Sequence, residues 1–305
     1  MRVFIAGATG AIGRPLVRQL REAGHEVVGM TRSEQRAASL RELGAEAVIA
    51  DALDAGPVRA AVEAARPDVV VNQLTDLARP LNPRKYAEWL EGTNRLRVEG
   101  TRNLADGAQA VGASKFISQS IAFAYTFEPG VKTEDSPRLG AEVGKMATAV
   151  NELERSTLAA PGGTVLRYGF LYGPGTGYAR DGQQTELIRK RQSPIVGGGN
   201  GVFPFIHVED AASATVAAIE RGAPGVYNVV DDDPAPAREW IPYMAELVGA
   251  KKPRRVPTFV AKLFAGSLVA MATQLQPVSN AKARRELGWT PRYASWREGF
   301  RAELG

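Results

Sequence analysis

Two rhythms of hydrophobic and polar positions run along this chain. Short, nearly uninterrupted apolar runs alternate with longer segments whose apolar residues recur every three or four places. Residues 2–6 (RVFIA) form the first run, and such a run suits a strand buried on both faces. Residues 25–30 (HEVVGM), 45–50 (AEAVIA), 69–71, 115–118 and 164–167 repeat that character. Between them lie helical patterns: a helix opening at Arg14-Pro15-Leu16-Val17, residues 33–43 with Ser33 placed as a cap, 54–65, a long helix within 80–112, and about 142–160. Strands alternating with helices predict an α/β fold with a doubly wound parallel sheet.

Beyond the sixth strand the pattern becomes irregular. A glycine-rich loop or hairpin is expected at 197–201, helices at 206–221 and 238–248, and a strand at 226–230. Further helices are expected within 258–272 and at 281–287. The division this predicts is a core over residues 1–170 and a lobe over 171–305, with 203–230 returning to the core sheet.

The first strand runs into Gly7-Ala8-Thr9-Gly10-Ala11-Ile12-Gly13 and then a helix. Gly7 permits the tight turn, Gly10 lets a diphosphate approach the backbone, and Gly13 lets helix and strand pack closely. The helix N-terminus offers free N–H groups to phosphate, and Pro15 in its first turn removes a donor with no use there. Strand, glycine turn and helix together predict a dinucleotide site. At the tip of the second strand an acidic residue would favour NAD(H) through the ribose 2′-hydroxyl. This chain has Arg32 there, with Arg36 one turn on and Arg14 near the phosphate turn, a basic set that suits a 2′-phosphate and predicts NADP(H). Asp51-Ala52-Leu53, after the third strand, are placed to meet an adenine ring.

Composition narrows the chemistry. The 305 residues are 44% hydrophobic and carry a net charge of +5 spread along the chain, with no basic block that argues for nucleic acid. With no cysteine, disulfides, thiolate catalysis and zinc–thiolate sites are excluded. His25 and His207 are the two histidines and lie far apart in sequence, against a histidine-rich metal site. The chain starts on a core strand, leaving no room for a signal peptide, and no run of 18 apolar residues occurs; residues 259–272 are interrupted by Lys262. A cytoplasmic protein acting on a small molecule, without nucleic acid or membrane partners, is expected.

The glycine turn, Gly100-Thr101-Arg102-Asn103-Leu104, the strand ending at Ser118–Ser120, Leu166-Arg167-Tyr168-Gly169 and Leu171-Tyr172-Gly173-Pro174-Gly175 carry a wider likeness. Phe205-Ile206-His207-Val208-Glu209-Asp210, Tyr227-Asn228-Val229, Ala281-Lys282-Ala283 and Leu287-Gly288-Trp289 extend it. Over nearly its whole length the chain resembles the extended short-chain dehydrogenase/reductase superfamily, the NAD-dependent epimerase/dehydratase family. The resemblance implies a Rossmann sheet in the order 3-2-1-4-5-6 with a seventh strand, a substrate cleft between sheet and smaller lobe, and by analogy a homodimer. The expected cofactor contacts are Gly7, Thr9, Gly10, Ala11, Ile12, Gly13, Arg14, Arg32, Arg36, Asp51, Ala52, Leu53, Gln73, Leu74, Ser118, Tyr168 and Gly169.

Catalysis in this family usually joins a Ser/Thr to a tyrosine and a lysine spaced Tyr-x-x-x-Lys, the tyrosine exchanging a proton with the substrate oxygen as hydride moves. Ser120 matches the serine, but no tyrosine here precedes a lysine by four. Alignment on Glu152 puts Gly144 and Thr148 at the paired positions; alignment on Glu154 puts Met146 and Val150 there. Neither pair does acid–base chemistry. Lys145 lies close by. Where the family has an asparagine three residues before Gly-Thr, this chain has Arg97, with Asn94 one turn earlier.

An atypical member follows. The expected activity is NADPH-dependent reduction of a ketone on a small cyclic or aromatic molecule, with Ser120 binding the carbonyl and a proton from Tyr125, Tyr168 or Tyr172, or from the substrate itself. The alternatives are a non-catalytic NADP(H) sensor and, further off, a sugar-nucleotide epimerase or dehydratase. His207 is expected to be structural, and Asp231-Asp232-Asp233 a solvated turn.

Overall fold

A computed structural model describes residues 1–77, 79–82, 85–141, 144–266 and 268–305. The first half alternates strand and helix: β1 (Arg2–Ala6), α1 (Gly13–Glu22), β2 (Glu26–Thr31), α2 (Glu34–Glu42), β3 (Glu46–Ile49), α3 (Ala55–Ala65) and β4 (Val69–Asn72). The long helix expected next is α4 (Tyr86–Arg95), a π-helical turn (Leu96–Gly100) and α5 (Thr101–Ala110), run together end to end. The positions expected to open this helix and α6 lie partly outside the described residues. Then come β5 (Lys115–Ile121), α6 (Lys145–Ala159), β6 (Thr164–Tyr168) and β7 (Phe170–Tyr172).

The second half holds α7 (Gln183–Arg189), β8 (Ile195–Val196), β9 (Val202–Phe203), β10 (Phe205–His207), α8 (Val208–Glu220), β11 (Gly225–Val229) and β12 (Ala235–Pro236). After these come α9 (Ala237–Leu247), β13 (Arg255–Val256), α10 (Thr258–Ala265), α11 (Leu268–Gln274), α12 (Ala281–Leu287) and α13 (Trp296–Leu304).

Seven parallel strands form one sheet in the order β11-β6-β5-β4-β1-β2-β3, the order expected with the seventh strand supplied by β11. Because strand side chains alternate, each face has its own core. Ile5, Val71, Ile117, Leu166 and Tyr168 face α1 and α8, whereas Phe4, Val70 and Phe116 face α3 and α5. Phe4 and Phe116 are fully buried, each burial stabilising the fold by on the order of 2–3 kcal/mol. A third core joins β7 and β10 to α9 and α13 around Tyr172, Phe205, Trp240 and Phe300.

Several local expectations change. β5 runs through Gln119-Ser120 as expected and one residue further, to Ile121, because Gln119–Ile121 pair with Leu166–Tyr168 of β6. The helix expected from Ile206 starts at Val208, since Ile206 and His207 pair with β7. The strands flanking the 197–201 loop do not form a hairpin; β8 pairs with β13 and β9 with β12. Gly266, at φ +49°, separates α10 from α11. Ser33 stands at the N-cap of α2 without making a side-chain capping bond. Among the described residues no helix is long and apolar enough to cross a membrane.

Candidate functional site

The glycine turn has the shape its spacing implies. Gly7 sits at φ +87°, and a Cβ there would lie 2.6 Å from the Gln73 carbonyl oxygen. A Cβ on Gly13 would lie 2.2 Å from the Gly7 carbonyl, so helix and strand approach as closely as backbones can. The N–H groups of Ala11 and Ile12 donate to no described acceptor, and Ile12 gives α1 no side-chain cap. Open donors on a closed glycine turn fit a dinucleotide diphosphate. Arg14, Arg32 and Arg36 are exposed and form no ion pair with described residues, so their guanidinium groups remain available. The loop after β3 is held in place: Asp51 Oδ1 accepts from the Leu53 N–H at 3.0 Å, and Asn103 Nδ2 donates to the Ala52 carbonyl at 2.9 Å.

The exit of β4 runs beside this turn. Asn72 Nδ2 donates to Thr101 Oγ1 at 2.9 Å while its Oδ1 accepts from the Leu74 N–H at 3.1 Å, which ties the Gly-Thr step of the long helix to the sheet. Gln119 Nε2 donates to the Leu74 carbonyl at 2.9 Å. Gln73 meets the glycine turn through its backbone; its side chain turns inward and donates to Tyr168 Oη at 3.0 Å.

Three expected site residues therefore move. Tyr168 lies on the α8 side of the sheet, where its hydroxyl meets Thr215 Oγ1 at 2.6 Å and burial pushes its pKa up to about 12. Its hydroxyl is thus occupied inside the fold by Gln73 and Thr215. Gly169 beside it packs against the Pro204 carbonyl, 2.4 Å from where a Cβ would stand, which makes its smallness a packing requirement. Ser118 is fully buried and accepts from Thr157 Oγ1 at 2.9 Å, because its side chain points between β5 and α6.

The other candidate acids are engaged as well. Ser120 points the same way as Ser118 and donates to Glu154 Oε1 at 2.5 Å in a buried setting. Arg167 holds the same carboxylate through Nε at 3.0 Å and Nη2 at 2.6 Å, and Arg138 Nη2 lies 3.0 Å from it. Tyr125 donates to Asn228 Oδ1 at 2.6 Å and accepts from Arg167 Nη1 at 2.7 Å, while burial raises its pKa. Tyr172 is fully buried inside the lobe core against Phe300, with burial raising its pKa far above the usual phenol range.

The two glutamates of α6 differ in setting. Glu152 pairs with Arg155 at the surface, whereas Glu154 is the buried partner of Arg167. The Glu154 alignment puts Met146 and Val150 at the places of the family's tyrosine and lysine. Val150 is buried, and Met146 Sδ accepts from the Tyr86 hydroxyl at 3.8 Å. Tyr86 and Arg97 act on one another electrostatically, and Arg97, only 8% exposed, donates through Nη1 to Asn94 Oδ1 at 3.1 Å. Lys145 begins α6 as an exposed residue.

Sequence reasoning did not assign Tyr86 to the site. Arg97 carried a readable signal: it falls in the buried stripe Thr93, Leu96, Arg97, Gly100, Thr101 and Leu104, an unusual place for a guanidinium.

Away from this centre, His207 is structural as expected, capping α8 by accepting from the Glu209 N–H at 3.2 Å and facing Glu303 at 3.1 Å. The Asp231–Asp233 run departs from the solvated turn expected. Asp231 is buried, Asp232 accepts from Asn280 Nδ2 at 2.8 Å, and Asp233 accepts from Ser295 Oγ at 2.6 Å, so the run anchors the C-terminal helices. Among the described residues no three His, Asp or Glu side chains converge as a metal site.

Residues 3–229 match the family model described as the NAD dependent epimerase/dehydratase family. The chain is 45% identical over 312 residues to a 3-diazoavenalumate denitrifying reductase from a Streptomyces species, an alignment covering 99% of this chain and all of the relative. It is 30% identical to a ceramide reductase of Caulobacter vibrioides, over 99% of this chain and 90% of the relative. Among solved structures, the UDP-glucose 4-epimerase of Thermotoga maritima superposes with a TM-score of 0.78 at 20% identity, covering 100% of this chain and 97% of the epimerase.

Proposed function

The chain belongs to the NAD-dependent epimerase/dehydratase family, and from that membership we propose that it is an NADPH-dependent reductase of a small aromatic molecule, working by hydride transfer to an electrophile that needs no proton from a side chain. One observation carries this reading: the Ser120 hydroxyl is held by Glu154, on a helix that offers neither a tyrosine nor a lysine at the acid–base positions in either alignment. Such a site orients a hydride donor and an acceptor, and orientation alone contributes several kcal/mol to a rate.

A diazonium group on an aromatic ring meets that requirement. Hydride added to its terminal nitrogen gives an aryl diazene, which collapses to the arene and dinitrogen; NADPH becomes NADP+ and no alkoxide has to be protonated. The likeness to a relative named for a diazo substrate supports this electrophile. In the chain itself, the cofactor would be held by the Gly7–Gly13 turn, with Arg32, Arg36 and Arg14 toward the 2′-phosphate and Asp51–Leu53 toward the adenine. When bound it would supply the hydride, and the protein would supply its position.

The ketone expected from the sequence stands as the second reading. Tyr86 favours it, since its hydroxyl lies against Met146, which the Glu154 alignment puts at the family's tyrosine position, and would be the donor to a ketone oxygen. The experiment is to mix the protein with NADPH and either 3-diazoavenalumate or a panel of aromatic ketones, following NADPH oxidation and dinitrogen release. Deuterium carried from 4-deuterated NADPH into a denitrified product supports the first reading. Oxidation by ketones alone transfers the assignment to the second, and tight NADPH binding without turnover of any compound makes the chain a sensor.

A further inference from the structure

Among the described residues the charges around the candidate site do not balance. Buried Arg97 and Arg167 and the half-buried Arg138 come to one region, where the buried carboxylate is Glu154. Arg167 takes that carboxylate through two nitrogens and Arg138 lies on its other side, so none of it remains for Arg97. Glu99, on the same helix as Arg97, is spent on Arg95 at the surface. Glu134, half-buried nearby, accepts from the Asn228 N–H at 2.8 Å. The one acceptor of Arg97 is the neutral amide of Asn94, and its Nε and Nη2 donate to nothing among the described residues. A buried cation without a counter-ion is costly, and an anion arriving there recovers that cost.

We propose that Arg97 is the seat of a carboxylate on the substrate, placed beside Tyr86 and Met146 where the reacting group is held. The planar guanidinium with two free donors suits a carboxylate, and the aromatic and thioether neighbours suit the ring that carries it. Arg138, close enough to act on Arg97 electrostatically, adds to the positive field. The substrate class becomes an aryl carboxylate, the carboxylate fixing which end of the molecule meets the hydride. This deepens the reductase reading and rests on it for the word substrate, while the anion seat itself is testable without turnover.

The test is calorimetric titration of the whole protein with 4-hydroxycinnamate and with its methyl ester, on wild type, Arg97→Gln and Arg97→Lys. Wild type is expected to bind the acid about tenfold more tightly than the ester, a difference of roughly 1.4 kcal/mol. Arg97→Gln is expected to bind both alike, with NADPH affinity changed less than about twofold as the control for folding. Arg97→Lys, which keeps the charge but loses the fork, is expected to retain part of the preference and guards against a misfolded glutamine variant. Equal binding of acid and ester to wild type, no binding of the acid at millimolar concentration, or an undiminished preference in Arg97→Gln each overturns the proposal. Uridine diphosphate displacing the acid with higher affinity also overturns it, in favour of a nucleotide substrate. Acid-selective binding through Arg97 without any turnover leaves the seat standing and removes the reductase.

Discussion

The Ser120 hydroxyl donates to Glu154 Oε1 across 2.5 Å, which joins the residue expected to bind substrate to the buried carboxylate of α6. The bond turns the serine toward the helix. Ser120→Ala is therefore expected to keep kcat within about threefold and to cost roughly 1–2 kcal/mol of stability, one charge-assisted hydrogen bond. A hundredfold fall in kcat with unchanged stability in urea would return Ser120 to the chemistry.

Glu154→Gln is expected to destabilise the fold by about 3–5 kcal/mol, because Arg167 and Arg138 then lie buried without a counter-charge. Burial pushes the Glu154 pKa upward, but the hydrogen bond from Arg167, the charges of Arg138 and Arg167 and the Ser120 hydroxyl outweigh it, so the net shift is downward. Its stabilisation is present above the unfolded carboxylate value and is lost as pH falls through the lowered native one. Urea midpoints measured from neutral pH downward should fall in that window for wild type and show a weaker acid slope for the variant.

Asp231 gives the opposite sign. Burial raises its pKa well above the ordinary value, against the pull of the Asp233 and Trp296 backbone N–H groups. Its contribution is complete below the unfolded value and is lost as pH rises through the native one. Asp231→Asn keeps an acceptor and removes the charge, so at pH 8 it should be more stable than wild type by about 1 kcal/mol or more. A variant less stable at pH 8 would show that the ionised form has a partner.

Tyr86→Phe separates the two electrophiles. With a diazo substrate the variant should turn over within about twofold of wild type; with a ketone whose oxygen takes the tyrosine proton, kcat should fall by about a hundredfold, the usual range for general acid catalysis. Steady-state kinetics on each substrate read the difference directly.

Arg32→Asp is expected to weaken NADPH by at least about tenfold, roughly 1.4 kcal/mol, while leaving NADH binding equal or better. Fluorescence titration of both cofactors measures it. An unchanged NADPH affinity would remove the 2′-phosphate assignment.

The sheet was legible because buried parallel strands leave apolar runs and the glycine turn leaves its spacing. What stayed hidden was the direction of side chains near the site. The strand reads on into Gln119-Ser120, but nothing in the sequence tells that Glu154 meets the Ser120 hydroxyl as Thr157 meets that of Ser118. Tyr168 looked well placed at a strand end, but strand alternation sends it to the face opposite Arg167, and only the tertiary partners Gln73 and Thr215 reveal that. The final helix was readable and missed: Trp296, Phe300 and Leu304 recur at helical spacing on its buried face, with Ser295 accepting from the Arg297 N–H as the cap. Arg97 was visible as a departure from the family pattern, but its lack of an acidic partner among the described residues emerges only when α4, α5 and α6 are packed together.

The π turn at Leu96–Gly100 has an evolutionary consequence. Such a turn is a helix carrying one inserted residue, and one residue turns everything before it by about 100° about the axis. Downstream, Gly100, Thr101 and Asn103 stay locked to the cofactor side through Ala52 and Asn72. Upstream, Tyr86 and Asn94 are carried by the other half of the same rod. A single-codon deletion or insertion at this point would swing the substrate-facing half to a new azimuth while the dinucleotide half stood still. One residue gained or lost there would thus re-aim Tyr86 and Asn94 while the glycine turn stayed in place.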